Sequence, residues 1–577
     1  MGSKKNPAGY TYWLGLVMLL IIISRLFYLQ IIRNDFYNFQ ADRIRSRTIP
    51  RAAPRGIIYD RYGVILAESK LTYELAVLPH ALKDQQFVLK FLRDIKINVN
   101  RLEQRLNNKD YLPFELISVK LNLEPWQIGY LEENKQALEG VIINTRIVRH
   151  YPHNNETAHV LGYVGQIGSA ELARLRNEGY RIGDIIGQSG IERQYDRYLR
   201  GVDGGQSMEV NPHGKPVSGL RFFEPVPGHN VYLTIDFALQ QQVAKSLGNH
   251  KGAIVVVKPS TGEVLAMVSK PDYNPNYFTR FLSAREWQEL RASDHPLYNR
   301  ALGAYPPGSI FKIVTLMAAL ESKIDTASAF NCPGHMMLGR RRFGCWRASG
   351  HGRQNLLSGF VNSCNVVFYN LGLLLTPQKI ADAAAAWGLG MTTDIDLPSE
   401  TAGLMPTERW KRRQHAQEWF PGDSLNLSIG QGYLLTTPLQ MAMLTASVAN
   451  EQSRLYKPYV VNKVVSAEGK NISQTRPEIV HALPFSRENM DLMRRLMREA
   501  VEDGTGTNAE VRGLVIRGKT GTAENNRKDH AWFVAYGPQQ RADLAMAVFV
   551  EEGGFGGVEA ARMAREIFVW WDKERSR

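Results

Sequence analysis

Cysteine is nearly absent from this chain: three in 577 residues, at Cys332, Cys345 and Cys364. So few exclude a disulfide-built scaffold, and an odd number cannot all pair within one chain. Long apolar runs are equally scarce. Beyond residue 32 no stretch reaches the length that crosses a bilayer, which excludes a polytopic membrane protein. Dense Lys/Arg tracts with interleaved aromatics are missing, as are zinc-finger and RNA-binding signatures. The net charge of +14 therefore does not point to nucleic acid. Apolar and charged contents of 44% and 22% are ordinary for a folded protein and exclude global disorder.

What is present begins at the N-terminus. "YTYWLGLVMLLIII" and "LFYLQII", interrupted only by Ser24 and Arg25, make residues 10–32 a predicted transmembrane helix behind a short tail, residues 1–9. Arg25 lies near one end and can snorkel. A cleaved signal peptide is the alternative, but no small-x-small site precedes Arg33, Asn34 and Asp35. Lys4 and Lys5 before the span and Arg33, Arg43 and Arg45 after it leave the orientation to be settled by function. Residues 33–225 read as an N-terminal module: a short strand and turn in "RGIIYDRYGVILA", a helical, charged head over about 82–138, and a strand in "GVIINTRIVRHY". It carries no catalytic cluster and reads as scaffold or interaction surface. The prolines and glycine of "FEPVPGHNVYLTID" mark a boundary near residue 226.

Residues 226–577 alternate strand and helix signals. "GAIVVVKPSTGEVLAMVS" is a predicted hairpin, and "LVIRGKTGTA", "AWFVAYGP" and "LAMAVFVEE" are strands at hairpin spacing before a last amphipathic helix at about 558–573. Five antiparallel strands from both ends of the domain, with helices between, predict an α+β layered fold.

Three short patterns in that domain carry chemistry. In "AYPPGSIFKIVTLMAALES" two prolines and a glycine give way to an unbroken apolar helix, placing Ser309 at its N-terminus and Lys312 one turn along. Unpaired N–H groups there favour developing negative charge, and burial would depress Lys312 until it can accept the serine proton. The bland alternative is a capping serine ahead of a core helix. "VNSCNVVFYNLG" supplies Ser363, a possible proton relay, and Asn365, whose amide can bind a substrate carbonyl. A second Ser-x-Asn, Ser424 and Asn426 in "GDSLNLSIGQG", reads as a decoy in a loop. On the strand "IRGKTGTAE", Lys519, Thr520 and Thr522 can hold a terminal carboxylate, while Gly521 lets a peptide backbone approach the edge.

Ser-x-x-Lys, Ser-x-Asn and Lys-Thr-Gly in this order form the motif set of penicillin-binding proteins and serine β-lactamases, which the chain resembles. "RGIIYDRYGVILA", "GIERQYDRYLRG", "GAYPPGSIFK" and "GQGYLLTTPLQ" extend the resemblance over the whole chain to the class B, monofunctional penicillin-binding proteins. The block "CPGHMMLGRRRFGCWRASGHGRQNL" is most similar to penicillin-binding protein 2, the elongation transpeptidase, with the division homologue as runner-up.

The resemblance implies a β-lactamase-like transpeptidase domain and D,D-transpeptidation of peptidoglycan stem peptides through a Ser309 acyl-enzyme that β-lactams also form. It further implies an oxyanion hole from the backbone N–H groups of Ser309 and Thr522, and a catalytic domain outside the inner membrane. The implied partners are a SEDS-family membrane polymerase and an elongation scaffold meeting the helical head. A β-lactamase would need a deacylating glutamate that is not evident between the second and third motifs. A penicillin sensor would need a signalling domain. The cysteines, with His351 among them, leave three readings open: a structural zinc site of Cys332, Cys345, His351 and Cys364, a Cys332–Cys345 disulfide with Cys364 free, or three unrelated thiols. Some elongation transpeptidases resemble the first, with aspartates at some matching positions.

Overall fold

The computed structural model describes residues 7–34, 46–108, 111, 116–210, 216–280, 282, 284–292, 294–538 and 541–575. The charge-free N-terminal stretch forms a helix, Pro7–Phe27, whose end loosens into a π turn over Tyr28–Ile32. Tyr12–Ile32 is long and apolar enough to cross a membrane. This helix belongs to a small unit, residues 1–54 and 201–227, whose other elements are three antiparallel strands. Gly204–Val210 is central, between Ser46–Arg51 and Pro216–Phe223.

Residues 55–200 and 228–577 form the second unit. The strand that follows the expected boundary, Asn230–Leu233, ties its two stretches together. It pairs in parallel with Ile58–Tyr59 and antiparallel with Val461–Val465. A seven-stranded sheet thus continues from Ile65–Val77, Ile117–Lys120 and Val141–His150 through this seam to Asn471–Gln474. The turn after Ile58–Tyr59 is fixed by Asp60. One of its carboxylate oxygens accepts from the N–H groups of Tyr62 and Val64, both at 2.8 Å, and the other from Phe237 N–H at 3.2 Å.

A buried ion cluster is built from "RGIIYDRYGVILA", "GVIINTRIVRHY" and "GIERQYDRYLRG". Glu192 is fully buried and accepts from Arg55 Nη2 at 2.8 Å, Arg149 Nε at 2.6 Å and the Tyr151 hydroxyl at 3.3 Å. Arg55 also reaches Asp196 at 2.8 Å. Burial alone would raise Glu192, but Arg149 and Arg55 overcome it and hold the carboxyl below its ordinary value.

The head is helical only in part. Helices Gln85–Asp94, Asn100–Asn108 and Pro125–Glu133 share a core with Leu75, Val77 and Ile117. Ile117–Lys120, expected within the helical region, is instead a strand pairing with Leu75–Val77. Its alternating "ISVK" suits a pleated edge better than a helix face.

The transpeptidase-like core is a five-stranded antiparallel sheet in the order Val264–Lys270, Gly252–Val257, Leu544–Val550, His530–Gly537 and Arg517–Ala523. Both faces are covered, and residues along each strand alternate between two cores. Ile254, Val256, Phe533 and Val548 pack under helices Phe237–Leu247 and Glu559–Arg575. Val255, Val257, Val534 and Phe549 face the core that contains helices Lys312–Glu321 and Pro438–Ala449. The α+β reading holds, and Arg517–Ala523 is an edge strand as expected.

The ion cluster generates a prediction. Glu192→Ala leaves two buried guanidinium groups without their shared carboxylate, and should cost about 3–5 kcal/mol at pH 7. Because the folded carboxyl binds its proton more weakly than the unfolded one, this contribution is present above pH 4.5 and fades as pH falls through the lower folded value. Urea unfolding at pH 7 and at acid pH should show the wild-type advantage shrinking. A loss below about 1 kcal/mol at pH 7 would remove the cluster from the list of stabilising features.

Candidate active site

Ser309 lies in a short 3-10 turn, Gly308–Phe311, that runs straight into the helix Lys312–Glu321. The turn is clamped from two sides. Gly308 has φ +57°, and a Cβ there would sit 2.4 Å from the Thr522 carbonyl oxygen. Its N–H donates to Gly430 O at 2.9 Å, and a Cβ on Gly430 would lie 2.1 Å from Gly308 O. Both positions therefore require glycine. Trp532 Nε1 donates to Pro306 O at 2.9 Å, fixing the proline arm to the sheet.

Lys312 is completely buried. Its Nζ donates to Asn365 Oδ1 at 2.7 Å and Ser363 O at 2.8 Å, with Ser363 Oγ at 3.3 Å. Burial pulls its pKa down to about 7, a fall that the nearby Cys345 and Cys364 oppose. Asn365 is the first residue of the helix Asn365–Leu374, and its Nδ2 donates to Gly344 O at 3.2 Å. Ser363 holds a left-handed backbone, φ +52°. Its carbonyl accepts from both Lys312 and Trp346 Nε1, the latter at 3.1 Å.

On the edge strand, alternation separates the third motif into two faces. Thr520 and Thr522 face a cavity of about 380 Å³ whose walls include Ser309, Ser363 and Asn365. Lys519 is fully buried beneath, its Nζ 3.3 Å from Thr520 O and 5.7 Å from the Phe360 ring centre. Burial first, then the charge of Lys312, holds it well below the ordinary lysine value. It is not among the residues that line the cavity, so the structure brings Thr520 and Thr522, but not Lys519, to the cavity wall. Gly521 also differs from expectation. A Cβ there would meet Pro307 O at 2.9 Å and Ile310 Cγ2 at 3.0 Å, so its bareness makes room for the nucleophile turn rather than for an incoming peptide.

Ser424 and Asn426, the decoy pair, lie in the helix Pro421–Ser428, not in the loop expected. Ser424 Oγ accepts from Trp419 Nε1 at 2.9 Å, and Asn426 O accepts from Gln431 N–H at 2.9 Å. They support the turn that delivers Gln431 to the cavity wall and do not line it themselves. Sequence reasoning missed Trp346, Gln431, Thr505 and Glu524, which also line the cavity. Trp346, directly after Cys345, Gln431 in "GQGYLLTTPLQ" and Glu524 at the end of "IRGKTGTAE" lay inside quoted patterns without being singled out; Thr505 carried no signal.

Cys332, Cys345, His351 and Cys364 converge, their donor atoms all within 4.8 Å of one another. The cysteines are free thiols, so the disulfide alternative is not formed. His351 Nδ1 lies 3.6 Å from Cys332 Sγ and 3.5 Å from Cys345 Sγ. Cys345, hydrogen-bonded to Cys364, is held far below the ordinary thiol range, and the same bond pushes Cys364 far above it.

Comparison with known proteins accords with this geometry. The penicillin binding protein transpeptidase domain matches residues 252–569, and the penicillin-binding protein dimerisation domain matches residues 50–233. The peptidoglycan D,D-transpeptidase MrdA of Acinetobacter baumannii is 34% identical over 97% of this chain and 86% of its own length. The Helicobacter pylori penicillin-binding protein PBP2, solved in complex with MreC, superposes with a TM-score of 0.76 at 28% identity, over 91% of this chain and 99% of that one. A chain from a structure described as coordinating polymerization and crosslinking in a peptidoglycan synthase complex superposes with a TM-score of 0.71 at 28% identity, over 98% of both chains. The chain belongs to the penicillin-binding proteins, among the elongation-type peptidoglycan D,D-transpeptidases.

Proposed function

We propose that Ser309 is the nucleophile of this transpeptidase and Lys312 its proton acceptor. One observation carries the reading: a buried lysine with a depressed pKa, held against two cavity residues, one helical turn from a serine in the same cavity wall. A base poised near neutrality is the most effective proton acceptor at the working pH. Ser309 Oγ attacks the carbonyl carbon of the penultimate D-alanine, and its proton passes to Lys312. The backbone N–H groups of Ser309 and Thr522 receive the oxyanion. As the ester forms, the C–N bond to the last D-alanine breaks. Ser363, 3.3 Å from Lys312 Nζ, relays the proton to the departing amine. An amine of a neighbouring stem peptide then attacks the ester, and Ser309 recovers its proton. Asn365, in the cavity wall and held by Lys312 and Gly344 O, steadies the substrate backbone. The terminal carboxylate meets the hydroxyls of Thr520 and Thr522, with Lys519 buried beneath them. A β-lactam acylates the same serine.

The cysteine cluster fits a structural zinc ion. Zn–S bonds of about 2.3 Å and a Zn–N bond of about 2.0 Å imply donor separations of roughly 3.5–3.8 Å. The separations from His351 Nδ1 to two sulfurs, 3.5 and 3.6 Å, fall there. Four protein donors leave no open position, so the ion would supply closure rather than chemistry. Cys364 would carry that closure into the Ser363–Asn365 loop.

The partners follow from the relatives and the surface. Phe87, Trp126 and Tyr130 are exposed on the head beside a stacked Phe91–Tyr130 pair, a surface suited to an elongation scaffold such as the MreC bound by the H. pylori relative. The apolar helix Tyr12–Ile32 is the natural contact for a SEDS-family polymerase. It would leave the residues before it in the cytoplasm and export the catalytic domain, where stem peptides lie.

Three outcomes are expected. Penicillin acylation of wild type should climb with pH through about 7, as Lys312 loses its proton, and level off above; Ser309→Ala should show no covalent adduct with thermal unfolding nearly unchanged. Full labelling of that variant would sink the nucleophile assignment. Metal analysis after chelator-free purification should find about one zinc per chain, lost together with thermal stability in Cys345→Ser; a metal-free, equally stable wild type would refute the site. Protease added outside spheroplasts should digest the chain beyond residue 33, and protection there would reverse the orientation.

A further inference from the structure

The segment that follows the helix Arg487–Glu502 enters the cavity unannounced by any motif. Gly506 N–H closes the helix on Ala500 O at 2.8 Å, and the intervening turn delivers Thr505 to the cavity wall. The turn leans on both other walls. A Cβ on Gly504 would sit 2.6 Å from the carbonyl oxygen of Val361, two residues before Ser363, so the backbone is pressed against the second-motif region. Thr505 Oγ1 lies 2.6 Å from Thr520 Oγ1 of the third motif.

A hydroxyl has one proton, so the direction of this bond matters. If Thr520 donated to Thr505, an arriving carboxylate would meet Thr520 lone pairs and be repelled. If Thr505 donates, Thr520 keeps its proton for the carboxylate, and the two hydrogen bonds polarise one another in series. A bound anion selects the second arrangement. Thr522 is already set in this way, because its Oγ1 accepts from Gly556 N–H at 3.3 Å and its own proton stays available. The two clamp hydroxyls are thus each supplied from behind, one by a backbone N–H and the other by Thr505.

We propose that Thr505 is a positioning residue of the transpeptidase: it donates to Thr520 and so turns that hydroxyl into a donor for the C-terminal carboxylate of the stem peptide. The inference rests on the assignment of Ser309 and of the Thr520–Thr522 clamp above. It makes Thr505 a determinant of substrate selection for a free carboxylate. The residue need not touch the reacting atoms.

The test compares Thr505→Val, which keeps the shape and removes the hydroxyl, with Thr505→Ser, which keeps the hydroxyl. Second-order acylation by a penicillin is measured beside acylation by the same penicillin with its carboxylate esterified. Thr505→Val should lose roughly five- to tenfold on the free acid, the size of one hydrogen bond, carried in the binding constant rather than the acylation step. It should change less than about twofold on the ester, and Thr505→Ser should restore the free-acid rate to within about twofold. Equal losses on acid and ester would make the residue merely structural, and no loss on either would remove it from the clamp. Both outcomes overturn the proposal. A wild-type protein that forms no adduct at Ser309 would instead sink the parent assignment, so the two failures are separable.

Discussion

The catalytic end of the molecule depends on the burial of one amine. Lys312 has no exposed surface, and its hydrogen bonds go to Ser363 O, Ser363 Oγ and Asn365 Oδ1. A permanently charged group in that position would be costly to hold, so the site keeps an amine close to its neutral form. The same three bonds draw the second motif onto the first. The helix that begins at Lys312 and the Ser363–Asn365 loop are therefore one polar assembly set in an apolar core, and removing the lysine would disturb its geometry. Lys519, buried nearby, is lowered first by its own burial and then by the charge of Lys312.

The nucleophile turn is held differently, by absence of side chains. Gly308 against Thr522 O, Gly430 against Gly308 O and Gly521 against Pro307 O are three backbone approaches that no Cβ would allow. They bring the 3-10 turn, the "GQG" turn and the edge strand within backbone distance of one another. A serine presented on such a framework has little room to drift, which is the order that the proposed role of Ser309 calls for.

Much of this was legible in the sequence, for identifiable reasons. The five-stranded sheet was readable because its strands alternate between two cores or run wholly apolar, and the motif residues because serine, lysine and asparagine at those spacings suit one chemistry. The local environment of each glycine was not readable. "KTGT" says that Gly521 matters but not that the clearance faces Pro307. The burial of Lys519 was hidden because strand alternation fixes a face, and only the packed helices show which face is wet. The decoy failed for a related reason: Ser424 and Asn426 share the Ser-x-Asn spacing, yet their helix turns them to Trp419 and the Gln431 turn. Thr505 had no signal, because its partner lies in another motif and a Gly-Thr-Gly turn is common in loops.

Strain and reinforcement fall on the same loop. Ser363 occupies a left-handed backbone, which costs a non-glycine residue on the order of 1–3 kcal/mol. Such a conformation persists only where surroundings over-determine it, and here they do. Its carbonyl accepts from Lys312 and Trp346, and its N–H donates to Phe360 O at 3.0 Å. The next residue, Cys364, belongs to the four-donor cluster and is fully buried. The segment from Cys332 to His351 has short two-stranded hairpins and few core residues of its own. Apolar packing alone supplies little rigidity there, and Trp346 spans the gap, donating to Ser363 while its ring lies 5.2 Å from His351. Among the described residues, the cluster of Cys332, Cys345, His351 and Cys364 thus lies where the left-handed backbone of Ser363 meets these thinly packed hairpins, so a contact made through Cys364 bears directly on the Ser363–Asn365 loop.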